Sequence, residues 1–69
     1  MSDLWRAKVV ENGNVHLEEC ASLAEGKQWA LMKLAERGHE VSSVEWTDRD
    51  RSSVAVPGPR LELHVTRMD

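Results

Sequence analysis

The residues of this chain with acid–base, metal-binding or nucleophilic potential are His16, His39 and His64, the single Cys20, and the adjacent carboxylates Glu18 and Glu19. Zinc sites built from short motifs take their ligands in close-spaced pairs, because two ligands on one turn fix the coordination geometry. None of the three histidines has a second ligand at such a spacing. His16 and His64 are expected on an uncovered sheet face. His39 follows a helix end, where a cationic imidazole complements the helix dipole. Cys20 stands just before a helix start, a position that lowers a thiol pKa. A nucleophile also needs a base and an oxyanion site, and no spacing here supplies either. Glu18 and Glu19 lie in a strand pattern and point to opposite faces, so they do not share a proton. No glycine-rich phosphate loop, nucleophile elbow or metalloprotease helix occurs. The expectation is a protein that is not an enzyme, with no cofactor, no metal and no small-molecule substrate.

Contact chemistry is better represented. Ser22-Leu23-Ala24-Glu25 has the form of a capping box, and Gly38 follows Arg37 where a helix would end in the left-handed region. The spacing predicts a helix between them. At about 100° per residue, Leu23, Ala24, Lys27, Ala30, Leu31, Leu34 and Ala35 share one side, an apolar stripe interrupted by a lysine whose stem can lie along it. Trp29 falls opposite, near Glu25, Gly26, Lys33 and Glu36, with Met32 beside it. Trp and Met are enriched in protein interfaces. The candidate partner-binding set is therefore Trp29 and Met32, with Lys33, Glu25 and Glu36 as rim. The competing explanation is structural: a loop or terminus covers Trp29, or the ring lies against the Lys33 stem.

Strands must present this helix. Leu4–Val10 alternates Trp5, Ala7 and Val9 with Leu4, Arg6, Lys8 and Val10, and Asn12-Gly13 marks a hairpin because both residues tolerate positive φ. A two-residue loop would place Val15 and Leu17 on the face of Lys8 and Val10; a three-residue loop, Asn12 to Asn14, would place them with Ala7 and Val9. The three-residue loop is favoured because it unites the apolar residues. After the helix, Val41–Asp48 reads as a strand with Val44 and Trp46 inward. The segment from about 49 to 60 reads as a charged, Pro-Gly loop, with Val54-Ala55-Val56 a brief extension before Pro57. Arg60–Met68 alternates cleanly, Leu61, Leu63 and Val65 against Glu62, His64 and Thr66. The sum is one α+β domain spanning residues 1–69. It is a two-layer ββαββ sandwich of one helix on a four-stranded, mainly antiparallel sheet, with expected strand order 2-1-3-4. The expected core is Trp5, Ala7, Val9, Val15, Leu17, Leu23, Ala30, Leu31, Leu34, Val44, Trp46, Leu61, Leu63 and Val65.

Size narrows the function. Sixty-nine residues support only a marginal core, and small scaffolds commonly need a disulfide, a metal or a partner subunit. One cysteine makes no internal disulfide and points to a reducing, cytoplasmic setting. No apolar run is long enough to span a membrane, so no membrane partner is expected. By elimination the expected partner is a protein, either a larger one or a second copy in a homodimer, met through the Trp29 face or an exposed strand edge. The alternative is nucleic-acid binding by Arg6 and Lys8 on the open sheet face with Arg49, Arg51 and Arg60. Against it stand a net charge of −3 and the absence of an expected stacking aromatic on that face.

Overall fold

The computed structural model describes residues 3–68. Its elements are β1 (Trp5–Glu11), β2 (Asn14–Cys20), α1 (Leu23–Glu36), β3 (Thr47–Asp48), β4 (Ser52–Gly58) and β5 (Leu61–Arg67). The strands form one antiparallel sheet in the order β2-β1-β5-β4-β3, and α1 packs on one face, giving a two-layer α+β fold. The sheet thus has five strands where four were expected. The extra strand is β4, which occupies most of the segment expected as a loop. Pro57, which has no N–H to give a ladder, falls in the irregularity between Ala55 and Gly58.

The expected strand order is corrected. β5, not the segment after the helix, lies beside β1. Leu61, Leu63 and Val65 are all buried, and only a central strand beneath the helix can bury three such residues in a row. Residues 41–46 form no strand, and only Thr47–Asp48 joins the sheet, at its edge. Val41, Val44 and Trp46 all pack against the core. Val41 and Val44 have opposite parity in a straight strand, so the chain turns, with the Val44 N–H directed at the Val41 carbonyl, to bury both.

The helix begins and ends where expected, and the serine half of the capping box forms. Ser22 Oγ accepts from the Glu25 N–H at 3.1 Å. At the other end Gly38 adopts φ 84°, and the His39 N–H donates to the Leu34 carbonyl at 3.0 Å. The buried face is rotated from the expected stripe: Gly26, Ala30 and Leu34 are buried, Ala24 and Ala35 are exposed, and Leu23, Lys27, Trp29, Leu31 and Lys33 are half-buried flanks. Gly26 is the reason. A Cβ there would lie 2.6 Å from Val65 Cγ1, so the missing side chain is what lets the helix backbone settle onto β5. Leu34 from the helix and Leu63, Val9 and Val65 from the sheet are fully buried between the two layers. Each contributes about 1.5–3 kcal/mol by leaving water.

Candidate functional site

The hairpin register decides what the sheet exposes. Asn12 (φ 50°) and Gly13 (φ 86°) form a two-residue turn, with Glu11 opposite Asn14 and Val10 opposite Val15. The three-residue loop favoured from the sequence is therefore overturned. Two consecutive residues at positive φ match the right-handed twist of a hairpin, and Asn-Gly supplies them cheaply. That local preference outweighs the burial of two side chains. Val15 and Leu17, expected in the core, are 52% and 54% exposed on the open face, beside Val10 and Lys8. His16 and Glu18, expected outward, are on the helix face of β2.

β2 is an edge strand, and among the described residues nothing pairs with its outer side. Hydrogen-bonded pairs alternate along an antiparallel ladder. Asn12 donates to Arg60 and Met68 to Leu4, so the even-numbered residues of β1 bond toward β5 and its odd-numbered residues toward β2. In β2 the N–H and C=O groups of Val15, Leu17 and Glu19 consequently point away from the sheet. A shallow depression of about 220 Å³, lined by Arg6, Leu17, Glu18 and Glu19, runs along this edge.

The helix flank above the edge carries the residues singled out from the sequence. Lys27 Nζ reaches Asp48 on β3 at 2.9 Å and lies 5.3 Å from the Trp46 ring centroid, so that flank of α1 faces the β3 side. Helical steps put Glu25, Trp29, Lys33 and Glu36 on the flank away from Lys27, toward β2, with Met32 next to them on the outer surface, about 160° from buried Ala30. Trp29 is half-buried, packs against both buried clusters, and has Lys33 Nζ 5.7 Å from its ring centroid. Lys33 also pairs with Glu36 at 3.7 Å. Met32 is 55% exposed. Trp29 thus forms a wall between helix and sheet, and Met32 is the exposed apolar group beside it.

The remaining chemistry-bearing residues are dispersed. His16 lies opposite Val9 on the helix face, and its Nε2 is buried without a hydrogen-bond partner among the described residues. His64 is on the open face, 3.0 Å from Glu62. His39 meets Glu11 at 2.5 Å, and Arg37 bonds the other oxygen of the same carboxylate. Glu11 is buried, and hydrogen bonding from His39, with Arg37 adding to it, holds its carboxyl below the ordinary value. This cluster ties the C-terminal end of α1 to the end of β1. Glu11 has the parity of Ala7 and Val9, so carrying the alternation of β1 one residue beyond Val10 would have placed it inward. Cys20 is buried at the end of β2, and desolvation, reinforced by Glu25 and Glu18, raises its thiol pKa rather than lowering it. Among the described residues no cluster of three or more His, Cys, Asp and Glu is placed to hold a metal.

The basic residues are not gathered into one surface. Arg6 and Lys8 share the open face, but Arg6 stands opposite Glu19. Arg49 and Arg51 precede β4 and Arg60 follows it in the turn to β5, so these loops lie at opposite ends of the sheet. Trp5, Trp29 and Trp46 all pack against the buried clusters. Among the described residues no helix is long and apolar enough to cross a membrane. No family model, curated protein or solved structure matches the chain.

Proposed function

We propose that the chain is a non-enzymatic protein-contact module that associates with a second copy of itself along the β2 edge, within a reducing compartment such as the cytoplasm. The observation that carries this is the edge: seven residues long, with outward backbone groups at Val15, Leu17 and Glu19 and two apolar side chains more than half exposed beside them. Such an edge is a ready template for another strand unless something covers it. The contact would also supply stability that a chain of this size lacks. Trp29 and Met32, with Lys33, Glu25 and Glu36 around them, form the helix-side margin of the same surface. Nucleic-acid binding is less well supported, because Glu19 and Glu62 lie among the open-face cations and an exposed stacking ring is missing from the described residues.

Mass by light scattering across a concentration series tests the proposal. The wild-type chain is expected to rise from monomer to dimer mass. Leu17→Lys is expected to remain monomeric with an unchanged circular dichroism spectrum. A wild-type chain that stays monomeric throughout removes the proposal.

A further inference from the structure

The free edge of β2 specifies its own register against a second copy. Resting on the self-association proposed above, we infer that two chains pair β2 to antiparallel β2 about a two-fold axis through Leu17. The sheet becomes continuous, and His16 of each chain comes to face the partner's Glu18.

Backbone geometry narrows the choice first. Val15, Leu17 and Glu19 are the residues of β2 whose N–H and C=O groups point outward. An axis at Leu17 sets Leu17 against the partner's Leu17, and Val15 against the partner's Glu19. All three outward residues are then in hydrogen-bonded pairs, each exchanging two bonds. An axis at Val15 puts Leu17 opposite the partner's Gly13, in the turn, and loses part of the ladder. An axis at Glu19 or Glu18 sets like carboxylates directly against each other, which destabilises a cross-strand pair. An axis at His16 stacks two imidazoles and leaves Glu18 opposite Asn14.

Side chains favour the same register. With Leu17 on the axis, the His16–Glu18 pairs fall at non-hydrogen-bonded positions, where Cα atoms approach to about 4.5 Å and side chains are closest. The carboxylate arrives beside the exposed side of a half-buried imidazole, whose inner Nε2 has no hydrogen-bond partner among the described residues. Glu19 already has Arg6 opposite it inside its own chain. Every charge near the seam then has an opposite or neutral neighbour.

The helices fit this arrangement. An axis perpendicular to the sheet keeps both helices on one face. α1 lies over β1, with β2 and β5 to either side. With strands spaced by about 4.8 Å, the two helix axes would be about 14 Å apart across the seam. Helices packed through their side chains lie about 8–10 Å apart, so only large side chains reach across the wider gap. Trp29 is on the flank that faces this gap, and Met32 stands above it toward the outer surface of the helix.

The test is mixed-chain disulfide trapping. His16→Cys and Glu18→Cys are made separately, each with Cys20→Ala, then oxidised alone and as an equimolar mixture. The Cα spacing of a facing pair suits a disulfide. Cross-linked dimer is expected in the mixture and little in either variant alone. If wild type is dimeric but the mixture cross-links no more than the single variants, the register is wrong while self-association stands. If wild type is monomeric at every concentration, both fail. Glu18 is exposed, so Glu18→Lys provides a second measurement that does not depend on His16→Cys folding. It is expected to weaken dimerisation tenfold or more, and an unchanged dissociation constant overturns the inference.

Discussion

The two edges of the sheet meet the same hazard in opposite ways. On the far side β3 is only two residues long, Asp48 is engaged by Lys27 and by Ser53 Oγ at 2.5 Å, and the distal half of β4 is broken by Pro57 and a register irregularity. Short strands, proline, bulges and charge are the devices by which sheets discourage further pairing. β2 carries none of the first three, and it sets Val15 and Leu17 beside its free backbone groups. Exposed apolar side chains alone do not distinguish the edges, since Val56 on β4 is 65% exposed. The difference lies in the backbone: one edge offers an unbroken ladder and the other does not. This difference is why the proposed partner strand is assigned to the β2 side.

Changes in the shared core should strike both edges alike and most heavily. Leu34→Ala is expected to cost about 2–5 kcal/mol in denaturant unfolding. A loss of under about 1 kcal/mol would mean that α1 is not what holds the sheet together. Gly26→Ala comes next. Alanine gains about 1 kcal/mol over glycine in helix propensity, but overpacking against Val65 costs about 1–3 kcal/mol. A net loss is expected, and a raised melting temperature would show that the helix shifts freely over β5.

The comparison itself is sharpened by pairing Leu17→Lys with Val56→Lys. Both add a lysine at an exposed apolar site, so each should leave monomer stability within about 0.5 kcal/mol. Only Leu17→Lys should change the mass profile; equal effects would erase the distinction between the edges. Acid sensitivity gives the smallest contrast. Glu11 and Asp48 both have carboxyls held below their ordinary values, by the His39 hydrogen bond first in one and the Ser53 hydrogen bond first in the other. A depressed folded-state pKa stabilises fully above the ordinary value, 4.5 for Glu11, and that stabilisation is lost as pH falls through the folded value. Glu11→Gln should flatten the acid fall in melting temperature more than Asp48→Asn does, because Glu11 is buried and Asp48 is exposed. Equal flattening would place the acid response elsewhere.

Local chemistry was legible wherever a few neighbouring residues settle the conformation. The capping box at Ser22, Gly38 at the helix end, the turn at Asn12-Gly13 and the inward set Leu61, Leu63 and Val65 all follow from residue types and spacing. The edge position of β2 was legible, but which of its residues face outward was not, because that depended on a choice between two loop lengths, and the apolar content of β2 argued for the other one. The Trp29 flank was visible as an anomaly. Its place over β2 followed only from the Lys27–Asp48 contact on the opposite side.

By itself the sequence determined one helix, one hairpin turn, and the faces that β1 and β5 would bury. These are properties of dihedral preference and of periods that span a few residues. Tertiary structure alone decided that β5, and not the segment after the helix, lies beside β1, and that Gly26 rather than a larger residue is the closest point of helix on sheet. Each of those is a competition between segments far apart in the chain for one buried central position. Helix length and hydrophobic alternation do not rank such competitors; the packed core does.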